Sequence, residues 1–194
     1  MKFEFSAGGI VFRKRSNKEE ILKLVQDDIK ILVCQHSQHH GWVFPKGLIN
    51  EKSKVKSQKS KVARETKEDA ALREVKEETG ISGKIIKPLT PVTYWYAFQR
   101  EKINPAPFSR GTMTHTEKKD KDHTRNKLKD IERCWIKKTV YYFLMEYVSG
   151  DTKDHDFEME NVEWLAMDEV EKRLTYKSDK EVWQEAMKIL NIKN

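Results

Sequence analysis

Three glutamates, Glu74, Glu77 and Glu78, stand at i, i+3 and i+4 in the stretch TKEDAALREVKEETG. That spacing places them on one face of a helix within a single turn. The helix itself is well specified. Thr66 with Asp69 three residues later is a capping-box pattern, strong helix formers fill the interior, and Gly80 ends it. Like charges so spaced repel one another. Two arrangements relieve this. One is a solvated acidic helix, with ion pairs to the interleaved Lys67, Arg73 and Lys76. The other is a divalent cation held by hard oxygen ligands, which suits Mg²⁺ with phosphates completing its shell.

The chain around this helix has 194 residues and reads as one domain, 1–194, with eight Phe, six Tyr and five Trp to supply a core. Residues 3–12 are β-rich, with Gly8 and Gly9 marking a bulge or the close approach of another chain or a ligand. Residues 20–34 hold two strand-like runs, ILKLV and IKILVC. Trp42-Val-Phe-Pro is extended, since the proline keeps Phe44 out of the helical region. Residues 81–98, 138–148 and 161–165 are strand-like. Two helices should close the chain, one capped by Asp168 with Glu171 and one by Ser178 with Glu181. In the second, Val182, Trp183, Ala186, Met187 and Leu190 recur at helical spacing and form a core stripe. Trp164 and at least one of Tyr141, Tyr142 and Phe143 read as core.

Net charge is +7, and it is local. Residues 51–64 hold six bases and one acid, and residues 117–138 nine bases and five acids, so the remainder of the chain is slightly acidic. Residues 51–64 and 101–136 read as two inserted loops, either solvated or facing phosphate. Cys34 and Cys134 form no disulfide framework and no C-x-x-C pair. The apolar N-terminal stretch is too short and interrupted for a signal peptide, and no run approaches ~18 apolar residues. A cytoplasmic location without a membrane partner is the expectation.

The stretch RETKEDAALREVKEETGI, residues 64–81, resembles the signature helix of the Nudix hydrolases. That pattern is glycine, five residues, glutamate, seven residues, then Arg-Glu-aliphatic-x-Glu-Glu-x-Gly-aliphatic. Glu65 and the run from Arg73 to Ile81 fit it in order. The opening glycine departs from it: Lys59 stands at its place, and Gly47 in WVFPKGLIN is its equivalent, implying a twelve-residue insertion within residues 51–64. SAGGIVFRK, HHGWVFPKG, KKTVYYFLMEY and HDFEMENVEWLAMDEVEKRLTY look like the diadenosine tetraphosphate hydrolase branch of this MutT-like family and follow its order.

The resemblance implies an α/β fold, the Nudix α/β/α sandwich with a mixed β-sheet between helices. It implies Mg²⁺ or Mn²⁺ bound by Glu74, Glu77 and Glu78, with Arg73 holding Glu65. Glu158 is the match to a glutamate that handles metal or water. Lys46 and Lys138 match phosphate-contacting lysines. His40, with His39 as its rival, matches a histidine ahead of the tryptophan. Tyr176 matches an adenine-holding tyrosine, with Tyr94 or Tyr96 as a second stacking ring. The implied reaction is Mg²⁺-dependent hydrolysis of a diphosphate linkage, in a dinucleoside polyphosphate cut to AMP and ATP. The implied partner is a phosphoanhydride small molecule, and the protein a monomer or homodimer. Diphosphoinositol polyphosphate hydrolysis and removal of 5′ groups from RNA, with nucleic acid tracking the basic insertions, are the rival activities. A non-catalytic nucleotide-binding module is the rival of another class, and the intact glutamate set argues against it.

Overall fold

The computed structural model describes residues 2–14, 29–50, 65–101 and 131–192. They form β1 (Lys2–Lys14), β2 (Ile29–His36), β3 (Trp42–Val43), β4 (Lys46–Leu48), α1 (Lys67–Thr79), β5 (Ile81–Pro88), β6 (Val92–Glu101), β7 (Ile131–Gly150), β8 (Met159–Ala166), α2 (Met167–Arg173) and α3 (Lys177–Ile192). The long strands β1 and β7 run parallel, from Lys2 opposite Ile136 to Phe12 opposite Glu146. The other pairings are antiparallel, so the sheet is mixed. β1 pairs with β2 only over residues 12–14, and with β4 over residues 6–8. The sheet therefore divides along that side of β1, and the Trp42–Leu48 segment sits in the division.

Strand periodicity sends alternate side chains to opposite faces. On one face Ile10, Phe12, Val140, Tyr142 and Leu144 pack against Val170 of α2 and Val182, Trp183, Ala186 and Leu190 of α3. On the other, Ala7, Val11, Phe143 and Met145 pack against Ala71 and Val75 of α1. The result is the α/β/α sandwich with a mixed sheet. Tyr142 and Phe143 are both buried, one in each layer. Cys34 is buried too, its thiol donating to the Val43 carbonyl.

The capping of α1 is as the sequence specifies. Thr66 Oγ1 accepts from the Asp69 amide at 3.1 Å, and Gly80, at φ 71°, takes the left-handed conformation that closes the helix. The close approach expected at the Gly8-Gly9 pair is made by the chain itself, the Gly9 amide donating to the Pro45 carbonyl at 3.1 Å.

Several expectations need correction. α2 starts before Asp168: its N-cap is Ala166, whose amide donates to Glu169. α3 includes Ser178 in its first turn, so Ser178 is not its cap. Trp164 is half-buried, with the Arg13 guanidinium 4.3 Å above its ring. Residues 131–136, read as part of an insertion, extend β7, and β6 runs through Glu101. A long two-stranded ribbon tolerates charged and polar residues where it faces water, which hid it from a search for apolar runs. The ILKLV run, residues 51–64 and residues 102–130 lie outside the described residues. Among the described residues no helix is long and apolar enough to cross a membrane.

Trp183 is fully buried in the α3 layer. Trp183→Ala is expected to lower the urea-unfolding free energy by ~3–5 kcal/mol. A change below ~1 kcal/mol would show that this layer does not carry the core.

Candidate active site

Arg73 organises the exposed side of α1. Its Nε donates to Glu65 Oε1 at 2.7 Å and its Nη2 to Glu65 Oε2 at 3.1 Å, a bidentate pair. Nη1 bridges Glu74 at 2.6 Å and Glu77 at 2.9 Å, and Nη2 also reaches the Leu48 carbonyl. Glu65 in turn accepts from the Asn50 amide at 2.8 Å, and the guanidinium keeps its carboxyl below the usual range. One cation thus fastens the residues after β4 to the helix.

One turn on from Glu74, Glu78 turns inward. It is only 5% exposed, and its Oε2 accepts from the Lys46 amide at 2.8 Å. Gly47 lies against Glu74, and a Cβ there would fall 2.1 Å from the Glu74 carboxyl carbon. Only glycine lets that carboxylate sit against the strand. Gly47, which the sequence matched to the signature glycine, thus abuts the carboxylate of Glu74.

These groups open into a cleft of about 850 Å³, the size of a cofactor or nucleotide site. Glu74, Glu78 and Glu158 contribute carboxylates to its lining, Lys46 and Lys138 contribute cations, and Tyr94, Tyr96, Tyr176 and His39 contribute rings. Desolvation, with lesser repulsion from Glu74 and Glu158, pushes the Glu78 carboxyl up to about 8. Glu74 is raised by burial as well, against the pull of Arg73. Burial acts against the charge on Lys46, but Asp179, 3.9 Å away, together with Tyr94, Cys34 and Glu78 outweighs it, and the Lys46 pKa is raised. Burial and then the nearby Lys46 lower the Lys138 pKa, against the smaller pull of Glu4, Glu78 and Glu74. Tyr96 donates to Glu4 at 2.7 Å, and Tyr176 lies 3.1 Å from His39 Nδ1.

Of the site residues expected from sequence, the cleft gathers Glu74, Glu78, Glu158, Lys46, Lys138, His39, Tyr176, Tyr94 and Tyr96. Glu65 and Arg73 stand behind it as supports. Glu77 and His40 are not among its lining residues. Glu77 is half-exposed and paired with Arg73, because i, i+4 spacing favours that pair. His40 has a positive φ of 54°, which directs its ring to Glu160, 2.7 Å away, leaving His39 to face the cleft.

Among the lining residues that escaped the sequence reading of the site are His36, Lys177 and Asp179. His36 stacks on His39 with ring centroids 4.1 Å apart. Asp179 is 2% exposed, accepts from the Tyr142 hydroxyl at 2.8 Å and faces Lys46. Its signal was present: Asp179 falls on the apolar stripe of α3, where a carboxylate is buried only if paired.

The family model of the NUDIX domain matches residues 20–186. The chain belongs to the NUDIX domain family. Among curated relatives, a protein named MutT4 from Mycobacterium tuberculosis is 25% identical over 150 residues, covering 77% of this chain. The chain spans 42% of that relative's length. Among solved structures, a Caenorhabditis elegans Ap4A hydrolase in a binary complex matches with a TM-score of 0.53 at 18% identity, covering 97% of this chain and 98% of its own. The NUDIX domain of Shewanella oneidensis NrtR complexed with ADP ribose matches with a TM-score of 0.53 at 17% identity, covering 98% and 90%. Both share the fold of this NUDIX domain.

NUDIX hydrolases generally use divalent metals, so the carboxylate set bears on that chemistry. Among the described residues no three His, Cys, Asp or Glu side chains converge into a preformed cage. The donor chemistry nevertheless fits a hard cation. Glu74, Glu78 and Glu158 are oxygen donors on one cleft, and Glu158 raises the cost of ionising both Glu74 and Glu78.

Arg73→Lys removes the bidentate fork while keeping the charge. It is expected to lower the unfolding free energy by ~1–3 kcal/mol in chemical denaturation. An unchanged midpoint would mean that the Glu65 tie adds nothing to the fold.

Proposed function

We propose that this chain hydrolyses a phosphoanhydride linkage in a nucleoside diphosphate derivative, with a dinucleoside polyphosphate such as diadenosine tetraphosphate as its substrate. The observation that carries this reading is the shared lining of one cleft by the carboxylates of Glu74, Glu78, Glu158 and Asp179, the lysines Lys46, Lys138 and Lys177, and a set of rings. A C. elegans neighbour of the same fold is an Ap4A hydrolase, and its substrate class is adopted here as the working choice.

Glu74, Glu78 and Glu158 would hold Mg²⁺ or Mn²⁺, with Glu77 joining from the same helix face. Such an ion, when bound, supplies neutralisation of phosphate charge and activation of the attacking water. The chain's own residues do the rest. Lys46 is fixed at both ends, its amide on Glu78 and its ammonium beside Asp179, so it meets developing phosphate charge without reorganising. Lys138 adds a second cation on the same cleft. Tyr176 and His39 at one end, and Tyr94 and Tyr96 on β6, offer faces for a base. Burial and then His36 lower the His39 pKa, and its Nδ1 accepts from the Gly41 amide.

Glu78→Gln removes a carboxyl whose ionisation is already opposed by burial and by Glu74 and Glu158. It is expected to lower kcat by ~10²–10³-fold while holding or raising the thermal midpoint measured in chelator. Near-normal turnover would move the chemistry away from this helix.

A base held at one end fixes which phosphorus meets the carboxylates, so the cut is off-centre. Diadenosine tetraphosphate is expected to give AMP and ATP, with ¹⁸O from labelled water in one product only. Two ADP molecules would overturn the asymmetric placement. Silence on dinucleoside polyphosphates, with turnover of a diphosphoinositol phosphate, ADP-ribose or 5′-triphosphate RNA, would replace the substrate and keep the chemistry.

A further inference from the structure

The sheet carries a second surface, on the face turned away from the cleft. Register aligns Phe3 with Lys137 and Trp95, Phe5 with Thr139 and Thr93, and Trp135 with Ala97. These alternate positions share one face, while the cleft's Tyr94, Tyr96 and Lys138 occupy the positions between them. Helix α1 covers this face at Ala7, Val11, Phe143 and Met145 and leaves its far end open. There Phe3, Phe5, Trp95 and Trp135 are 54%, 51%, 50% and 52% exposed. Single exposed apolar residues are ordinary, but four large rings on one face of three paired strands mark an interaction surface.

The charge on this surface selects its occupant. Lys137 stands in the middle, its ammonium 5.8 Å from the Trp95 ring centroid. Lys67 of α1 flanks the patch, 3.7 Å over the Tyr141 ring. None of the strand positions named above is a carboxylate. An apolar protein partner would bury Lys137 without a counter-charge, at high cost. A second copy docked by a two-fold axis would set the patch against itself, lysine facing lysine. A single nucleic-acid strand supplies both complements: base faces for the rings and phosphates for the ammonium groups.

We propose that this open end of the sheet binds single-stranded nucleic acid. Bases stack on Phe3, Phe5, Trp95 and Trp135, and Lys137 and Lys67 hold the backbone. The surface is independent of the cleft and of the reaction assigned to it.

The test uses the full chain with fluorescein-labelled oligo(U) and oligo(dT), read by anisotropy and by quenching of tryptophan emission. Binding that weakens with added salt is expected, and the ratio of the two affinities tells RNA from DNA as the preferred strand. Trp95→Ala combined with Trp135→Ala should weaken binding at least ~10-fold, and Trp95→Phe, which keeps a stacking ring, should stay within ~3-fold of the parent. Lys137→Glu should weaken binding and flatten the salt dependence. Hydrolysis in the cleft should be unchanged in all of them, and saturating diadenosine tetraphosphate should not displace the strand. Four results would overturn the proposal. They are no binding of either oligonucleotide at low salt, a Trp95→Ala with Trp135→Ala variant that binds like the parent, displacement by the dinucleotide, and a sedimenting dimer that Trp135→Ala dissociates.

Discussion

The guanidinium of Arg73 is the interaction on which the rest of this site depends. Five hydrogen bonds from one planar group reach Glu65 twice, Glu74, Glu77 and the Leu48 carbonyl. Without a cation there, Glu65, Glu74 and Glu77 would repel one another along one helix edge. With it, the helix can carry an unusual density of carboxylate and still present Glu78 and Glu74 to a partly dry cleft. Arginine is suited to this because its fork keeps its geometry while serving several acceptors.

Behind that edge, charge is sorted by the sheet. β1, split between β2 and β4, leaves room for residues 42–48 to bring Lys46 and Gly47 against Glu78 and Glu74. α3 then brings Asp179 from the opposite layer to Lys46, anchored by the Tyr142 hydroxyl. The lysine therefore lies between carboxylates contributed from both layers of the sandwich. Its position reports the packing of the two helical layers onto the sheet, which couples the core to the chemistry.

The parts of this arrangement visible in sequence are those fixed by local spacing. Glu74, Glu77, Glu78 and Arg73 lie within two turns of one helix, and the Thr66 and Gly80 signals bound it. Gly47 could be read because a short motif surrounds it. What stayed hidden depends on long-range placement or on a single dihedral. Asp179 is 133 residues from Lys46 in sequence, and nothing near it announces the lysine. His40 and His39 are neighbours, and only the positive φ at His40 decides which ring faces the cleft. The extent of β7 was missed because a ribbon wet on one side carries charges that resemble a loop. The exposed rings of Phe3, Phe5, Trp95 and Trp135 come together only through the register of three strands.

The closure at Asn50 and Glu65 has a consequence for how such a chain can change. The Asn50 amide bonds the Glu65 carboxylate, and the Glu65 amide lies 3.4 Å from the Asn50 carbonyl. The backbone thus departs from and returns to a single clasped point. Whatever length runs between these two residues, the clasp presents the same two ends to the site, and the entropy of a longer excursion rises only logarithmically. Asn50 and Glu65 are thereby the positions at which a change of backbone reaches Arg73 and, through it, Glu74 and Glu77.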